Sequence, residues 1–351
     1  MLTLANAVNC GNSSVDPIEI PEDIHLEHVP FVTTIPSVDY GLYQNQFRMA
    51  FVIITDDRSQ VTDKKIQYVS NLSDNFGDHF SKATWGLATV DTSFDLINLE
   101  SLLVSSNRKL DRDAAIKKFL ETNSDDYDFI TFFPFSQMAL ENSSAEFPYG
   151  VYPSQYFSII KNQIDGIGRT IKGEPTFSKK LVGVSVLPTL MSSEDYQLGS
   201  SNLVTSGILH ETGHRWGIYV GSDFNRATEG LELKQQGIHF YRGLHSPYSA
   251  TTPMGSNHWV TNGDGTYHRV NEQEPQSYHP IQLYCMGLLN EQNNFGGLLN
   301  RKFPIYDCGG IYDPEGNIVV PFNKQSASLH SEVSIADVIK AEGPRTWVEN
   351  P

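Results

Sequence analysis

The stretch LVTSGILHETGHRWG, residues 203–217, carries His210 and His214 four positions apart, with Glu211 between them. The apolar residues before the first histidine and the glycine after the tryptophan predict a helix over this stretch, capped at residues 201–202. Positions four apart on a helix lie on the same face. Both imidazoles are therefore expected to project from one side of the helix, one turn apart.

This arrangement of side chains is typical of a catalytic zinc site. Two imidazole nitrogens one helical turn apart suit a tetrahedral zinc ion, whose Zn–N bonds are about 2.0–2.1 Å long. Glu211 would then act as general base on a zinc-bound water, while the metal polarises the carbonyl group under attack. The alternative is an ordinary helix that carries two histidines by chance. The capped start of the helix and the buried strand before it argue against this alternative.

A catalytic zinc ion usually takes a third ligand from the protein, and several residues downstream are candidates. A His-x-x-Gly-x-x-His extension of the motif would require a histidine at position 220, where this chain has Val220. A glutamate of a following helix is one alternative, because SDFNRATEGLELKQQG has the charge and leucine content of a helix and contains Glu229 and Glu232. The other candidates are histidines of the loop-rich region: His239, His245, His258, His268 and His279.

Composition limits the class of protein. The 351 residues, 39% of them hydrophobic, suffice for one large domain with its own core. A net charge of -16 and the lack of any basic run argue against nucleic acid and anionic membranes as partners, since both attract clustered lysine and arginine. No stretch approaches the ~20 apolar residues of a membrane span. The cysteines Cys10, Cys285 and Cys308 are expected to be buried thiols, with a single Cys285–Cys308 disulfide as the alternative.

Buried apolar runs alternate with helical patterns up to residue 217, which predicts an α/β fold with βαβ units and a mostly parallel sheet. The predicted buried strands are residues 51–55, 127–135 and 181–188, and residues 87–99 are predicted to form one or two edge strands. The predicted helices are residues 62–80, 111–123, 154–164 and 201–217. We expect an irregular segment over residues 1–45 and one domain over residues 46–345, which divides into an α/β half, 46–217, and a loop-rich half, 218–345. Because the sequence ends at GPRTWVENP without a further predicted element, we expect the chain to be part of a longer protein.

Four segments, HETGHRWG, GSNHWVTNGDGTY, YHPIQLYCMGLL and VSIADVIKAEGPR, follow one another along the chain. As a set they resemble a poorly characterised family of microbial, mostly secreted zincin-like proteins, and the resemblance covers roughly residues 200–345. It implies a zincin-like fold, a bound Zn²⁺, hydrolysis of protein or peptide substrates, and secretion or display at the cell surface. A catalytically weak or inactive surface or adhesion module with the same fold is the alternative function.

The resemblance also bears on the third ligand. The family's His-Trp pair falls on His258 and Trp259, whereas an acidic residue of the family's tyrosine-containing segment is replaced here by Gln282, a poor zinc ligand. Trp259 would anchor the loop in the core and so fix the direction of the neighbouring imidazole. We therefore predict His258 as the third ligand, beside His210 and His214.

Other residues near the motif have a functional and a structural interpretation. Tyr284 is a candidate hydrogen-bond donor to the oxyanion of peptide hydrolysis, with a buried structural tyrosine as the alternative. Met286 is either an apolar floor under the metal or a core residue. Trp216 is expected in the core or the cleft wall, and Arg215 is expected to pair with an acidic neighbour as a structural brace. A closed structural zinc site is disfavoured, because no cysteine lies near the motif.

Overall fold

The computed structural model describes residues 44–99, 111–135, 156–168, 171–173, 176–187, 201–216, 253, 258–270, 277–307, 311–312, 318–320 and 326–348. Predictions for the remaining residues, among them the irregular segment before residue 44 and the candidate ligands Glu229, Glu232, His239 and His245, lie outside the described part.

Within the described residues, a mixed five-stranded sheet forms the centre of the first half. Its strands in spatial order are β2 (Thr89–Asn98), β1 (Gln46–Thr55), β3 (Phe129–Phe135), β6 (Gly183–Val186) and β4 (Tyr156–Ile159). All neighbouring pairs are parallel except β4 with β6. The mostly parallel sheet predicted from the sequence is confirmed. The elements of this half are β1 (Gln46–Thr55), α1 (Asp63–Ala83), β2 (Thr89–Asn98), α2 (Arg112–Leu120), β3 (Phe129–Phe135), β4 (Tyr156–Ile159), β5 (Ile164–Asp165), β6 (Gly183–Val186) and α3 (Ser201–Gly213).

Helices cover both faces of this sheet, which explains why β1 and β3 are continuous apolar runs. Alternate residues of a strand point to opposite faces. Phe51 and Ile53 of β1 therefore belong to the core cluster that contains residues of α1 and α3, whereas Val52 and Ile54 belong to the cluster on the side of α2. The side chain of Thr62 accepts a hydrogen bond from the backbone of Lys65 and caps α1, as its sequence predicts.

The predicted helix over residues 154–164 is wrong. Tyr156–Ile159 is the edge strand β4, which pairs antiparallel with β6 so that Phe157 lies opposite Ser185. Short apolar runs with β-branched and aromatic residues fit both helical and extended spacing, and hydrogen bonding to a neighbouring strand then decides between them. In this chain the neighbour is β6, which follows β4 by more than twenty residues.

The second half contains more strand than the predicted loop-rich region. Within the described residues, a four-stranded antiparallel sheet has the order β7 (His258–Thr261), β8 (Thr266–Val270), β12 (Ser326–Val333) and β9 (Phe303–Asp307). The hairpin of β7 and β8 turns at the TNGDGT segment, residues 261–266. In that turn the carboxylate of Asp264 accepts hydrogen bonds from the backbone N–H and the hydroxyl of Thr266. The elements are β7 (His258–Thr261), β8 (Thr266–Val270), α4 (Pro280–Cys285), β9 (Phe303–Asp307), β10 (Ile311–Tyr312), β11 (Ile318–Val320), β12 (Ser326–Val333), α5 (Ile335–Glu342) and β13 (Thr346–Trp347).

The segment after α5 connects the two halves. Strand β13 pairs with β5, and Pro344 lies so close to Gly166 that a Cβ on this glycine would come within 2.3 Å of the proline carbonyl oxygen. The buried guanidinium of Arg345 donates a hydrogen bond of 2.9 Å to the carbonyl oxygen of Cys285 at the end of α4. In the described part of the chain, no helix is long and apolar enough to cross a membrane.

Candidate metal site

The two histidines of the motif lie at the end of α3. The α-helix ends at Gly213, and His214–Trp216 form a 3-10 turn, whereas the sequence predicts a single helix as far as residue 217. Ile208 and Leu209 pack into the core cluster on the α1 side of the sheet. This packing fixes the helix against the sheet and leaves the two imidazoles only partly buried.

The imidazoles converge at their Nε2 atoms. The distance between Nε2 of His210 and Nε2 of His214 is 3.1 Å, and the rings are perpendicular, with centroids 4.7 Å apart. Two nitrogens bound to one tetrahedral zinc ion at 2.0–2.1 Å would be roughly 3.3–3.4 Å apart. One ligand atom from each of His210, Glu211 and His214 lies within 4.8 Å of the others. These three side chains could hold a metal ion.

A backbone carbonyl orients the first imidazole. Nδ1 of His210 lies 2.7 Å from the carbonyl oxygen of Pro253. Because a carbonyl oxygen only accepts, Nδ1 must carry the proton, and Nε2 then presents its lone pair toward His214. Burial lowers the pKa of His210 below its ordinary value of 6.5, and the hydrogen bond to Pro253 opposes this shift. The neutral form that binds metal is therefore favoured near neutral pH.

The carboxylate of Glu211 is enclosed. Glu211 as a residue is 4% exposed, although it lies between two histidines that are only partly buried. A carboxylate with little surrounding water interacts more strongly with a cation or a proton donor beside it. The position of Glu211 thus fits both a metal ligand and a general base.

The end of α3 is stabilised by contacts with several other elements. The buried Arg215 donates a hydrogen bond of 2.8 Å to the side-chain oxygen of Asn162, which lies in the segment between β4 and β5. Trp216 packs edge-on against Phe47 and Phe129, so it is a core residue. The core position of Trp216 is one of the two that the sequence predicts. Arg215 is held by the amide Asn162, and its pairing with an acidic neighbour stays a prediction.

Sequence reasoning missed two residues next to the site. Tyr278 is buried, and its hydroxyl donates a hydrogen bond of 2.6 Å to the backbone oxygen of Leu209. Phe157 of β4 packs on His214 with a centroid distance of 6.4 Å and an interplanar angle of 27°. Tyr278 directly precedes His279 in the YHPIQLYCMGLL segment, which could have pointed to it. Because residues 154–164 are predicted as a helix, the sequence does not indicate that Phe157 lies beside His214.

Two candidate third ligands have other contacts. His279 caps α4, where its Nδ1 accepts a hydrogen bond from the backbone N–H of Ile281, and its ring packs on Phe303. In the β7–β8 hairpin, Nδ1 of His268 lies 2.5 Å from the side-chain oxygen of Asn262. Among the residues that the structure describes, neither histidine belongs to the group around His210.

The backbone of His258 lies in β7, opposite Val270, but its side chain is outside the described part of the structure. Its assignment as third ligand stays a prediction. The hydroxyl of the buried Tyr284 accepts a hydrogen bond of 2.8 Å from the backbone N–H of Arg345, a contact that favours the structural interpretation. Met286 and Cys285 are buried in the core, and Cys308 lies outside the described residues.

Comparison with known proteins adds little to this geometry. No protein-family model and no curated protein matches the chain. Among solved structures, the crystal structure of archaemetzincin from Methanopyrus kandleri is similar over 51% of this chain and 78% of that one, with 16% sequence identity and a TM-score of 0.27. A TM-score this low carries no argument about the fold or the function of this chain.

Proposed function

We propose that the chain is a zinc-dependent peptidase in which His210 and His214 bind the metal and Glu211 is the general base. One observation carries the proposal, which is the 3.1 Å approach of the two Nε2 atoms beside the enclosed carboxylate of Glu211. Neutral imidazoles suit zinc, whereas magnesium and calcium prefer sites made of oxygen ligands. The hydrogen bond from His210 to Pro253 is the kind of outer contact that metal-bound histidines usually make.

His258 remains the proposed third ligand. The carbonyl oxygen of Pro253 contacts His210, so the backbone five residues before His258 already lies at the site. A segment of five residues spans at most roughly 17 Å when fully extended. This contact supports a position of His258 near the histidine pair and favours it over His268 and His279, which have other contacts.

The chemistry divides between the metal and the protein. A bound zinc ion supplies a Lewis acid that makes a water molecule more acidic and polarises a carbonyl group. The carboxylate of Glu211 accepts the proton that the attacking water loses and returns it to the amine nitrogen that leaves. The overall reaction consumes one water and yields a carboxylic acid and an amine. The oxyanion donor stays unassigned, with Tyr284 as the candidate from the sequence.

The sheet offers a surface for an extended substrate. Strand β4 is the last strand of the described sheet on the side of α3, and it contacts both α3 and the turn His214–Trp216. The outer edge of such a strand presents backbone donors and acceptors that an extended peptide can pair with. We therefore propose peptide segments in extended conformation as substrates. Secretion or cell-surface display rests on the family resemblance alone.

The test combines metal analysis with a digest of casein or a peptide library. We expect about one zinc per chain and cleavage that stops when a chelator removes the metal and resumes when zinc is returned. Zinc binding without any cleavage would favour the inactive surface or adhesion module. A purified protein that neither contains nor binds zinc would overturn the proposal.

A further inference from the structure

Gly183 leaves room for an aromatic ring in the central sheet. A Cβ on this glycine would lie 2.3 Å from Cζ and 2.5 Å from Cε2 of Phe157. In the antiparallel pair of β4 and β6, Phe157 lies opposite Ser185, and Ile159 lies opposite Gly183. The phenyl ring therefore leans two residues along the neighbouring strand and covers the glycine. Any residue with a side chain at position 183 would displace it.

The same ring reaches the metal site. Phe157 is partly buried, and its ring lies nearly parallel to the imidazole of His214, at 27° and a centroid distance of 6.4 Å. A ring that packs on Gly183 and also on an imidazole has little freedom to change rotamer. The ring of Phe157 is thus in contact with both the central sheet, at Gly183, and the imidazole of His214.

We propose that Phe157, packed over Gly183, is a positioning residue that fixes the plane of the His214 imidazole and so the direction of its Nε2. The proposal rests on the proposed metal site. The carbonyl of Pro253 orients the imidazole of His210 through a hydrogen bond. Phe157 orients the imidazole of His214 through packing. Ligand side chains held in place by their surroundings bind metal more tightly, because less freedom is lost on binding.

The first test replaces the ring. Phe157→Leu removes the aromatic ring that packs on His214, whereas Phe157→Tyr retains an aromatic ring at this position. A matched control is Phe94→Leu, since Phe94 is a partly buried phenylalanine of the opposite edge strand β2 that packs on the same core cluster. Zinc affinity is measured by competition with a chelator. The geometry of the ligands is monitored by the visible spectrum of the cobalt-loaded protein, and the unfolding temperature of the metal-free protein reports on the fold.

We expect Phe157→Leu to weaken zinc binding by roughly 10- to 100-fold and to change the cobalt spectrum, as losses of contacts that orient metal ligands do. Phe157→Tyr should stay close to the wild type in both. Phe94→Leu should lower the unfolding temperature and leave both metal measurements unchanged. If Phe157→Leu does not fold, Phe157→Met, which keeps an apolar side chain of similar length, takes its place.

The second test acts through the glycine. Gly183→Ala forces the ring of Phe157 out of its position and should weaken zinc binding by a similar factor. The double variant Gly183→Ala with Phe157→Leu should bind zinc no more weakly than the worse single variant, because both substitutions remove the same contact. Additive losses would contradict a shared effect through Phe157.

Two failures can be told apart. If the wild-type protein binds zinc, and Phe157→Leu matches it in affinity and cobalt spectrum, the positioning role is overturned while the peptidase proposal stands. If the wild type binds no zinc, both proposals fail. Zinc affinity does not depend on turnover, so an inactive wild type that binds zinc still decides the role of Phe157.

Discussion

The hydroxyl of Tyr278 donates a hydrogen bond of 2.6 Å to the backbone oxygen of Leu209, the residue directly before His210. The backbone N–H of Tyr278 donates to the carbonyl oxygen of Ala83, the last residue of α1. One buried residue therefore joins the end of the motif helix to the end of a second helix on the same face of the sheet. The position of the histidine pair depends on this tyrosine although the tyrosine is not itself a ligand.

Replacement of Tyr278 by phenylalanine is expected to lower the free energy of unfolding by about 1–2 kcal/mol. The substitution removes a buried hydrogen bond and keeps the ring that fills the core. Urea unfolding of the metal-free protein measures the loss. Tyr267→Phe, at a partly buried position of β8, is the control and should cost less. Equal losses for the two variants would contradict a special role of Tyr278.

The same residue predicts a loss of stability at high pH. Burial raises the pKa of Tyr278 above its ordinary value of 10.0. The folded protein then retains a proton that the unfolded chain gives up above pH 10, so stability that is fully present below pH 10 decreases as the pH rises. We expect a decrease of up to about 1.4 kcal/mol per pH unit above pH 10, which Tyr278→Phe lacks. Parallel unfolding curves of wild type and variant between pH 9 and 11 would refute this origin.

Removal of either imidazole is expected to abolish tight zinc binding. His210→Ala and His214→Ala each delete one of the two nitrogens that converge at 3.1 Å. His268→Ala is the matched control, because this histidine lies in the hairpin with a contact to Asn262. Elemental analysis after dialysis should find about one zinc in the wild type and control and far less in the two variants. Equal zinc in all four proteins would exclude this site.

Replacement of Glu211 by glutamine should separate metal binding from catalysis. The amide keeps the shape of the side chain but cannot accept the proton that the attacking water loses. We expect zinc content and unfolding temperature near the wild type, with a loss of several orders of magnitude in kcat. Glu291→Gln, on the exposed start of the segment after α4, is the control. A Glu211→Gln protein with the wild-type rate would show that another group is the base.

The third ligand can be identified by comparing three single variants. His258→Ala is expected to weaken zinc binding by several orders of magnitude, whereas Glu229→Gln and Glu232→Gln should have small effects. Chelator competition gives the three affinities on one scale. A large loss in either glutamine variant, with His258→Ala unaffected, would transfer the assignment to that glutamate and leave the roles of His210 and His214 in place.

The sequence correctly predicts those structural features whose residue pattern is local and extends over several positions. The run FVIIT is part of β1, and α1 and α2 begin within one residue of their predicted starts. These features depend on neighbours within a few residues, so their spacing carries the information. The histidine pair belongs to the same class, because four positions on a helix define its geometry almost completely.

Features that depend on distant partners could not be predicted. Strand β4 was mistaken for a helix because only pairing with β6 distinguishes the two conformations of a four-residue run. The sheet formed by β7, β8, β9 and β12 joins segments up to about seventy residues apart. The composition of this half is typical of loops, so the sequence did not predict the sheet. The contact of Tyr278 with Leu209 spans 69 positions and has no local signature.

The connection made by Arg345 has a consequence for the order of synthesis. This residue lies 131 positions after His214, and it contacts the end of α4 only once the segment after α5 has been made. At about 5–20 residues per second, a ribosome needs roughly 7–26 s to cover that interval. During this time the zinc motif has already been translated, Tyr278 follows 64 positions after His214, and Arg345, which holds the end of α4, is made last. Tight metal binding is therefore expected only after the segment that contains Arg345 has emerged, and a pulse of labelled zinc should enter nascent chains that include this segment and not chains that stop before it.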